Sequence, residues 1–442
     1  LKVREQDSWI WERRLERYSP LTQSVYNGKD PTGKLMNARK LRIKKLDDES
    51  WTPTNHIYLG GSLNAPGEKV RPGVFSAIEL KNNDNSKASY IIDENLKGRR
   101  LSVAKWITNP ENPLTSRSII NRIWQYHFGR AIAGNPNNFG AKGEKPTHPK
   151  LLDWLASDFV KNGWKIKRIH KLIMLSKTYR QGYFHPQRDL IDEKDPNNNY
   201  LSYFSPRRLT SEEIRDSILK ITGELNMEIG GLPVMPEINM EVALEPRMIQ
   251  FSLAPAYQAS RTPKERNRRT IYSYKVRGQP NPFLETFNQP NPNDSCENRV
   301  TTSATPQSFT LMNSQTMSDR SIAMALRIEK EAETLELQVK RAVQLTFGRV
   351  PKKKESEQLQ KYVSQMQNYH ELNQPIKKDY PVTIVRSLVE EFSGKPFEYE
   401  EILPNYEDYT ADKKASDVSS KTRALADMCL LLFNANEFMY IY

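Results

Sequence analysis

One predicted helix contains an unusual number of polar and aromatic side chains. The run from Asn121 to Arg130 holds two arginines, two amides, a histidine and three aromatic residues. Four of its side chains fall near one face of a helix: Arg122, Gln125, Tyr126 and Arg130. This face could donate hydrogen bonds to an anionic ligand or a glycan. The alternative, which we favour, is a buried polar network that joins the helix to a loop, because polar groups among core aromatics usually satisfy backbone groups.

Histidines near this run raise the question of a metal site. His127, His148 and His170 are close enough in sequence to converge on one cation, together with Asp153 or Glu144. Metal-binding histidines on one helix normally have i, i+4 spacing, and no pair here has it. The pattern therefore favours capping, packing or surface roles, and no metal site is predicted.

A second polar concentration includes the first of the two cysteines. Asp294, Cys296 and Arg299 lie within six residues, and no histidine is near. Cys296 therefore lacks the adjacent base that an activated thiolate usually needs, although Arg299 could lower its pKa. A catalytic nucleophile is not favoured. Cys296 and Cys429 could form a disulfide in an oxidising compartment or could simply be buried.

Several cofactor motifs are absent from the sequence. Covalent attachment of a c-type haem needs two cysteines separated by two residues and followed by histidine, and Cys296 and Cys429 cannot supply that pattern. Phosphate-binding glycine loops, nucleophile elbows and the HExxH zinc motif are also missing. The chain is therefore expected to bind no c-type haem by itself.

Charge and hydropathy restrict the partners. Among 442 residues, 66 are basic and 53 acidic, which gives a net charge of +13. Such a charge attracts polyanions. We find no nucleic-acid reading module, so an acidic partner or a solvated basic surface is favoured over nucleic acid. No run approaches the roughly 18 apolar residues that span a bilayer, so no membrane span is predicted.

Helical periodicity dominates the first half of the chain. The spacing of apolar residues predicts a helix over 115–128 that ends at Gly129. A second helix is predicted to begin with Thr147 as its cap and to end at Asn162. A third is predicted over 167–179.

The second half mixes helices with irregular segments. Thr210 and Glu213 have the spacing of a capping box, which predicts a helix up to Gly223. Prolines forbid a long helix over 230–277, where we expect a small sheet or extended arm with a β-rich stretch at 270–276. Helices are predicted over 306–347, 356–369 and 417–433, and the charged segment 373–412 is interpreted as an insertion or flexible excursion. The predicted fold class is mainly α, a multi-helix orthogonal bundle with a small β or extended segment.

The order of several motifs resembles a known family. Colinear pieces run from about Gly98 to the last residue and include Asn112–Arg117, Asn121–Arg130, Pro146–Pro149, Pro206–Leu209, Glu213–Asp216, Thr301–Thr302 and Asn434–Phe438. This series resembles family DUF1553, also called PSD1, the planctomycete D domain associated with cytochromes c. The family has no established reaction, so the resemblance transfers no catalytic residue.

The resemblance implies a domain plan and a location. Residues 1–97 would be an extended junction from a preceding DUF1549-like domain. Residues 98–442 would be the helical domain, with a proline-rich or β insertion at 230–300 and the charged excursion at 373–412. Members of the family are secreted or periplasmic and are commonly fused to a c-type cytochrome domain, which implies a periplasmic or cell-surface location and a haem on a partner or fused domain.

Three hypotheses about function follow. The leading one is an exported module that docks a c-type cytochrome or another exported protein, or binds substrate beside it. The alternatives are an anionic glycan-binding protein or enzyme with an arginine- and histidine-lined cleft, and a structural component of a cell-surface assembly. The candidate residues for ligand binding or a polar network are Asn121, Arg122, Trp124, Gln125, His127, His148, Arg207, Arg208, Arg215, Asp216, Asp294, Cys296 and Arg299.

Overall fold

The structure is a computed structural model, and it forms two compact units. It describes residues 55–75, 78, 80, 98–249, 252–275, 278–299, 301–302, 304–390 and 393–442, with the single positions 5, 8 and 12. In its described parts, the N-terminal unit comprises Leu1–Gln181 and Gln187–Ser202, and the C-terminal unit comprises Gly182–Pro186 and Tyr203–Tyr442. Most of the predicted junction at 1–97 lies outside the described residues.

Among its described residues, the N-terminal unit contains one strand pair and five α-helices of four residues or more. Its elements are β1 (Asn55–Tyr58), β2 (Pro66–Val70), α1 (Arg99–Ile107), α2 (Pro113–Phe128), α3 (Pro149–Lys161), α4 (Ile166–Met174) and α5 (Arg188–Lys194). Strands β1 and β2 are antiparallel. The core of the unit is made by the apolar stripes of α2, α3 and α4, among them Ile120, Leu152, Leu155, Ile169 and Ile173, which are all almost fully buried.

The ends of these helices follow local chemistry. The side chain of Asn112 accepts the backbone N–H of Leu114 at the start of α2. The helix ends at Gly129, whose φ of 75° is the left-handed conformation that glycine adopts most readily, as predicted. Helix α3 ends at Asn162, also as predicted.

Two predicted boundaries were wrong. Helix α3 begins after His148 and not after Thr147, because the hydroxyl of Thr147 donates to the carbonyl of Ile132 at 3.4 Å and does not cap the helix. Helix α4 ends at Met174, five residues before the predicted end. There Ser176 donates to the carbonyl of Ile173 at 2.6 Å and accepts the N–H of Tyr179 at 3.1 Å, so local side-chain bonds replace the helical ladder.

The C-terminal unit contains most of the helices and three of the four strand pairs. Its elements are β3 (Arg207–Arg208), α6 (Ser211–Thr222), α7 (Met240–Leu244), β4 (Arg247–Ile249), β5 (Ser252–Ala254), α8 (Pro263–Arg266), α9 (Pro282–Thr286), α10 (Thr305–Asn313), α11 (Gln315–Glu331), α12 (Leu335–Phe347), α13 (Lys353–Leu372), β6 (Thr383–Val389), β7 (Pro396–Ile402), α14 (Ser420–Phe433), α15 (Asn436–Met439) and β8 (Tyr440–Ile441). Strand pairs β3–β8, β4–β5 and β6–β7 are antiparallel and two-stranded. Helices predominate in the described residues, which confirms the mainly α fold class.

A helical core lies at the centre of the C-terminal unit. Helix α11 packs against α14, α6 and α12, and α14 also packs against α13. The most deeply buried apolar side chains of this core include Met317, Ile322, Val339, Leu425 and Phe433. The predicted capping box is present at α6, where Thr210 and Glu213 satisfy each other's free backbone N–H groups. The core therefore holds α11 rigidly beside α6.

The segment over 230–277 contains the predicted small sheet, but in a different place. Strands β4 and β5 form its hairpin, whereas the stretch predicted to be β-rich begins with the 3₁₀ turn Thr270–Tyr272. One oxygen of Asp216 accepts both the backbone N–H and the hydroxyl of Thr270, at 2.8 and 2.6 Å, and this pair of bonds holds the turn. Val276, the end of that stretch, lies outside the described residues.

The charged segment 373–412 is an ordered hairpin followed by a buried return. Strands β6 and β7 pair in continuous register from Thr383 opposite Ile402 to Val389 opposite Pro396. Arg386, Leu403 and Asp412 are buried. The segment that the sequence interpretation described as an insertion or flexible excursion is therefore not flexible in its described residues and contributes core residues to the C-terminal unit.

Candidate functional site

A cavity of about 150 Å³ lies within the C-terminal unit, beside helix α11. Its apolar wall includes Ile218 and Leu219 from α6, Phe283 from α9 and Met317 from α11. The charged residues that line it are Arg215, Glu237, Arg266, Asp319, Arg320, Lys378 and Asp412. Charged groups rarely lie so deep unless they are paired, so the contacts among them decide what the cavity can bind.

The first set of contacts is a chain of ion pairs on one side of the cavity. Arg320 Nη2 lies 2.5 Å from Asp412 Oδ2, and Arg266 Nη2 lies 3.1 Å from Asp412 Oδ1. Arg320 Nη1 lies 2.7 Å from Glu224 Oε2. The guanidinium of Arg266 also lies 4.5 Å from the centre of the Tyr409 ring. Each buried cation of this chain thus has a carboxylate partner.

The second set is centred on a lysine between two carboxylates. Lys414 Nζ donates to Asp319 Oδ2 at 2.6 Å and to Glu237 Oε1 at 3.1 Å. The hydroxyl of Tyr380 donates to Glu237 Oε1 at 2.7 Å, and that of Tyr409 donates to Glu237 Oε2 at 2.8 Å. Lys414, Tyr380 and Tyr409 all follow α13 in the chain, so this late segment positions the two cavity carboxylates.

These surroundings give the carboxyl groups of Glu237 and Asp319 different pKa values. Burial raises the pKa of Glu237, but the charge of Lys414 and the hydrogen bonds from Tyr380 and Tyr409 outweigh burial and hold the pKa at about 2. At Asp319 burial raises the pKa by more than Lys414 lowers it, so the pKa lies above its ordinary value. Glu237 is therefore a permanent anion near neutral pH.

Arg215 is the predicted candidate that lines the cavity. Its Nη2 donates to the carbonyl of Arg266 at 2.8 Å, and its Nη1 donates to the carbonyl of Arg268 and the hydroxyl of Thr270 at 3.0 Å each. Burial lowers the pKa of Arg215 to about 10, although Asp216 opposes the change. Asp216, the next candidate along α6, holds the 3₁₀ turn described above. Arg215 thus fixes the 266–270 backbone beside the cavity.

The charges of this cluster nearly balance. Six cations and five carboxylates make it up: Arg215, Arg266, Arg269, Arg320, Lys378 and Lys414 with Asp216, Glu224, Glu237, Asp319 and Asp412. Because each ion pair neutralises both partners, the cavity offers many hydrogen-bonding atoms but little net charge.

Some of those hydrogen-bonding atoms have no partner in the described part of the chain. Arg266 Nε is buried without a hydrogen bond, but it has almost no accessible surface and so does not face the cavity. Arg320 Nη1 is equally inaccessible and lies 2.7 Å from Glu224 Oε2. The side chains of Asn239, Thr310 and Thr316 line the cavity, and no hydrogen bond joins them to other described residues. These three side chains are available to a bound molecule.

The polar helix α2 is joined to a loop of the N-terminal unit. Asn121 is fully buried, and its amide donates to the carbonyl and accepts the N–H of Ala133, both at 2.9 Å. Arg122 donates to Asn137. Trp124 stacks on Phe128 with ring centres 4.3 Å apart. Asn121 therefore joins α2 to the loop, whereas on the face that the sequence analysis singled out Tyr126 is exposed and Arg130 donates to Asn199 at 2.8 Å.

The histidines and Gln125 have separate surroundings within the same unit. His127 Nε2 lies 2.8 Å from His170 Nδ1, and His148 Nδ1 lies 3.0 Å from the hydroxyl of Thr147. Gln125 is half-buried. Among the described residues, no group of three or more histidine, cysteine, aspartate or glutamate side chains is arranged to hold a metal ion.

Arg207 and Arg208 are both bound inside the C-terminal unit. Arg207 makes a two-point contact with Glu213, at 2.8 and 2.9 Å. Arg208 is buried and donates to Asn288 at 3.0 Å, to Gln307 at 2.7 Å and to the carbonyl of Thr302. These contacts tie the start of α6 and the loop before α10 together.

The last group of candidates lies on the surface of the C-terminal unit. Arg299 pairs with Glu212 at 2.5 Å, and Asp294 accepts a hydrogen bond from Asn291 at 2.7 Å. Cys296 is exposed and Cys429 is buried, and both are free thiols. Burial raises the pKa of the Cys429 thiol. A ligand-binding role for Asp294, Cys296, Arg299, Arg207 and Arg208 remains a prediction.

Sequence reasoning missed most of the residues in and around the cavity. It did not single out Glu237, Asp319, Arg320, Asp412 or Lys414. One signal was present: Arg320 lies three residues after Met317 and four before Met324, on the apolar face of α11. A charge inside a helical apolar stripe indicates a buried ion pair.

The fold and the site define a class of mainly helical proteins with a buried ion-pair cluster around a small polar cavity. A family model described as PSD1, protein of unknown function (DUF1553), matches residues 99–363, and the chain belongs to this family. The match includes Arg215, Glu237 and Arg320 and ends before Asp412 and Lys414. No curated protein and no solved structure matches the chain. None of the described helices combines the length and apolar character that a bilayer crossing requires.

Proposed function

We propose that this chain is a ligand-binding module whose binding site is the cavity of the C-terminal unit. The proposal rests on the composition of the cavity. It combines an apolar wall, formed by Ile218, Phe283 and Met317, with a few convergent polar groups, which is the composition of small-molecule sites. The ion pairs on both sides hold those polar groups in place before any ligand arrives.

The proposal includes a partner and a location. The module would act beside a haem-bearing c-type cytochrome or another exported protein, in the periplasm or at the cell surface, as the family resemblance implies. The chain has no attachment motif for c-type haem, so any haem chemistry would belong to the partner. A net charge of +13 suits an acidic partner.

The anionic-glycan hypothesis receives less support. It requires free arginines, but Arg207 is bound to Glu213, and Arg208 is bound to Asn288 and Gln307. The cavity guanidinium groups are likewise paired with carboxylates. An additional anion would therefore compete with carboxylates that these guanidinium groups already contact.

A cavity-filling substitution tests the ligand site. Thr310 lines the cavity without a side-chain hydrogen bond, so Thr310→Phe should fill space and abolish binding. Ser308→Phe places the same ring on an exposed position of the same helix and is the matched control. Calorimetry against a small-molecule fragment library should give binders for wild type and Ser308→Phe that Thr310→Phe loses. The proposal fails if no compound binds, or if binding survives in Thr310→Phe.

The proposed association with a partner protein needs a separate measurement. Purified chain would be mixed with the c-type cytochromes and exported proteins encoded beside it, and complexes would be detected by analytical ultracentrifugation. We expect a complex that weakens as salt increases. If none of these proteins associates with the chain, the proposed partner is rejected. The ligand site is then judged by the Thr310→Phe experiment alone.

A further inference from the structure

The two cavity carboxylates have unused hydrogen-bonding capacity. Glu237 accepts bonds from Tyr380, Tyr409 and Lys414, and Asp319 accepts bonds from Gln315 and Lys414. Two carboxylates offer about eight acceptor sites, so the five bonds from described residues leave roughly three. The occupant of the cavity must bring several O–H or N–H donors to them.

The cavity also offers unused donors. Asn239, Thr310 and Thr316 line it, and no hydrogen bond joins their side chains to other described residues. Each of these side chains can donate or accept. A matching ligand must therefore accept hydrogen bonds as well as donate them. Hydroxyl groups do both.

The ion pairs disfavour a charged occupant. Arg320 and Arg266 share Asp412, and Lys414 bridges Glu237 and Asp319. A ligand carboxylate at the two guanidinium groups would have to displace Asp412, and a ligand amine at the two carboxylates would have to displace Lys414. The more exposed cation of the lining, Lys378, lies 3.6 Å from Glu237. Breaking a buried pair is costly because it leaves a charge without a partner. An uncharged ligand avoids this cost.

The size and the apolar wall favour a ring. A cavity of about 150 Å³ has room for one six-membered ring. Phe283, Ile218 and Met317 provide a surface against which the C–H face of such a ring can pack. The face of a ring with hydroxyl groups at its edge would pack on the apolar wall, and its hydroxyl groups would contact the polar side chains.

From these four features we infer that the cavity binds a neutral sugar unit, an inference that rests on the ligand-binding function proposed above. Glu237 and Asp319 accept hydrogen bonds from its hydroxyl groups, Asn239, Thr310 and Thr316 donate to them, and Phe283 packs on the ring face. No part of the chain needs to change its charge for this ligand to bind.

The experiment is calorimetry with four sets of probes on the full chain. The first set holds neutral pentoses, hexoses, deoxyhexoses and N-acetylhexosamines; the others hold uronates, amino acids and aromatic fragments. Variants are Thr310→Phe to fill the cavity and Asn239→Ala to remove one exposed polar group, with Ser308→Phe and Asn313→Ala as controls on exposed positions outside the cavity. Circular dichroism checks that each variant is folded.

We expect at least one neutral sugar to bind, with an affinity that is insensitive to salt because the ligand has no charge. Thr310→Phe should abolish that binding and Asn239→Ala should weaken it about tenfold, the effect of one lost hydrogen bond. The controls should bind like wild type. If only uronates, amino acids or aromatic fragments bind and Thr310→Phe blocks them, the sugar inference is overturned and the ligand-binding function stands. If no probe binds, or if sugars bind to Thr310→Phe unchanged, both are overturned.

Discussion

Asp412 Oδ2 lies 2.5 Å from Arg320 Nη2, so a residue that follows the β6–β7 hairpin neutralises a guanidinium on the core helix α11. Both side chains are 7% exposed. The other oxygen of Asp412 binds Arg266, which is 1% exposed. One carboxylate thus compensates two buried cations from distant parts of the chain.

Removing that carboxylate charge should destabilise the C-terminal unit. In Asp412→Asn, Arg266 and Arg320 stay buried with less compensation, and we expect a loss of about 3 kcal/mol in the free energy of unfolding. Urea denaturation followed by circular dichroism measures it. Asp408→Asn is the control, because Asp408 is 80% exposed and its nearest cation, on Arg261, is 3.9 Å away. Equal unfolding curves for the two variants would contradict the buried network.

Glu237 should make stability depend on pH in the acid range. Its pKa is about 2 in the folded chain, below the ordinary value of 4.5, so its contribution is complete above about pH 4.5 and is lost as the pH falls toward 2. At neutral pH we expect Glu237→Gln to be less stable than wild type by on the order of 3 kcal/mol.

The difference between wild type and Glu237→Gln should shrink as the pH is lowered through this window. Urea midpoints measured at several pH values test it, with Glu241→Gln at an exposed position as control. A difference that stays constant from neutral pH to pH 3 would show that the Glu237 carboxylate is not held in its charged form.

The amide of Asn121 should contribute strongly to the N-terminal unit. Asn121→Ala leaves both the N–H and the carbonyl of Ala133 without their partner, and we expect a loss of about 2–3 kcal/mol. Asn138→Ala, which removes one exposed hydrogen bond to Gly140, should cost less than about 1 kcal/mol. Thermal unfolding measures both. Similar midpoints for the two variants would mean that Asn121 does not hold the loop.

The two cysteines should differ in reactivity. Cys296 is exposed and Cys429 is fully buried with a raised pKa, so a thiol reagent should label one cysteine in the folded chain and two in denaturant. Cys296→Ser should abolish labelling of the folded chain. Labelling of neither cysteine before unfolding would indicate a disulfide or a covered Cys296.

Local signals predicted the helices well. Gly129, Asn162 and Gly223 end helices as expected, and the Thr210–Glu213 capping box is present. These features act within one helical turn, so they can be read from neighbouring residues. The predicted start of α3 was wrong because a contact from farther away in the chain competed. The Thr147 hydroxyl binds Ile132 and does not cap α3.

The candidate site was predicted only in part. Arg215 lines the cavity, but Glu237, Arg320, Asp412 and Lys414 were not among the candidates. Their contacts join residues separated by 92 to 177 positions. No spacing rule covers such distances, so the charges of the segment 373–412, which was interpreted as an insertion or flexible excursion, showed no partners in the sequence.

The sequence by itself determined the mainly α fold class, most helix ends and membership of the PSD1 family, because these depend on local periodicity, capping and motif order. Only the tertiary structure decided which charges are buried and where a cavity lies. The physical reason is that a buried charge is stable only beside an opposite charge, and folding alone brings Arg320 to Asp412 and Lys414 to Asp319.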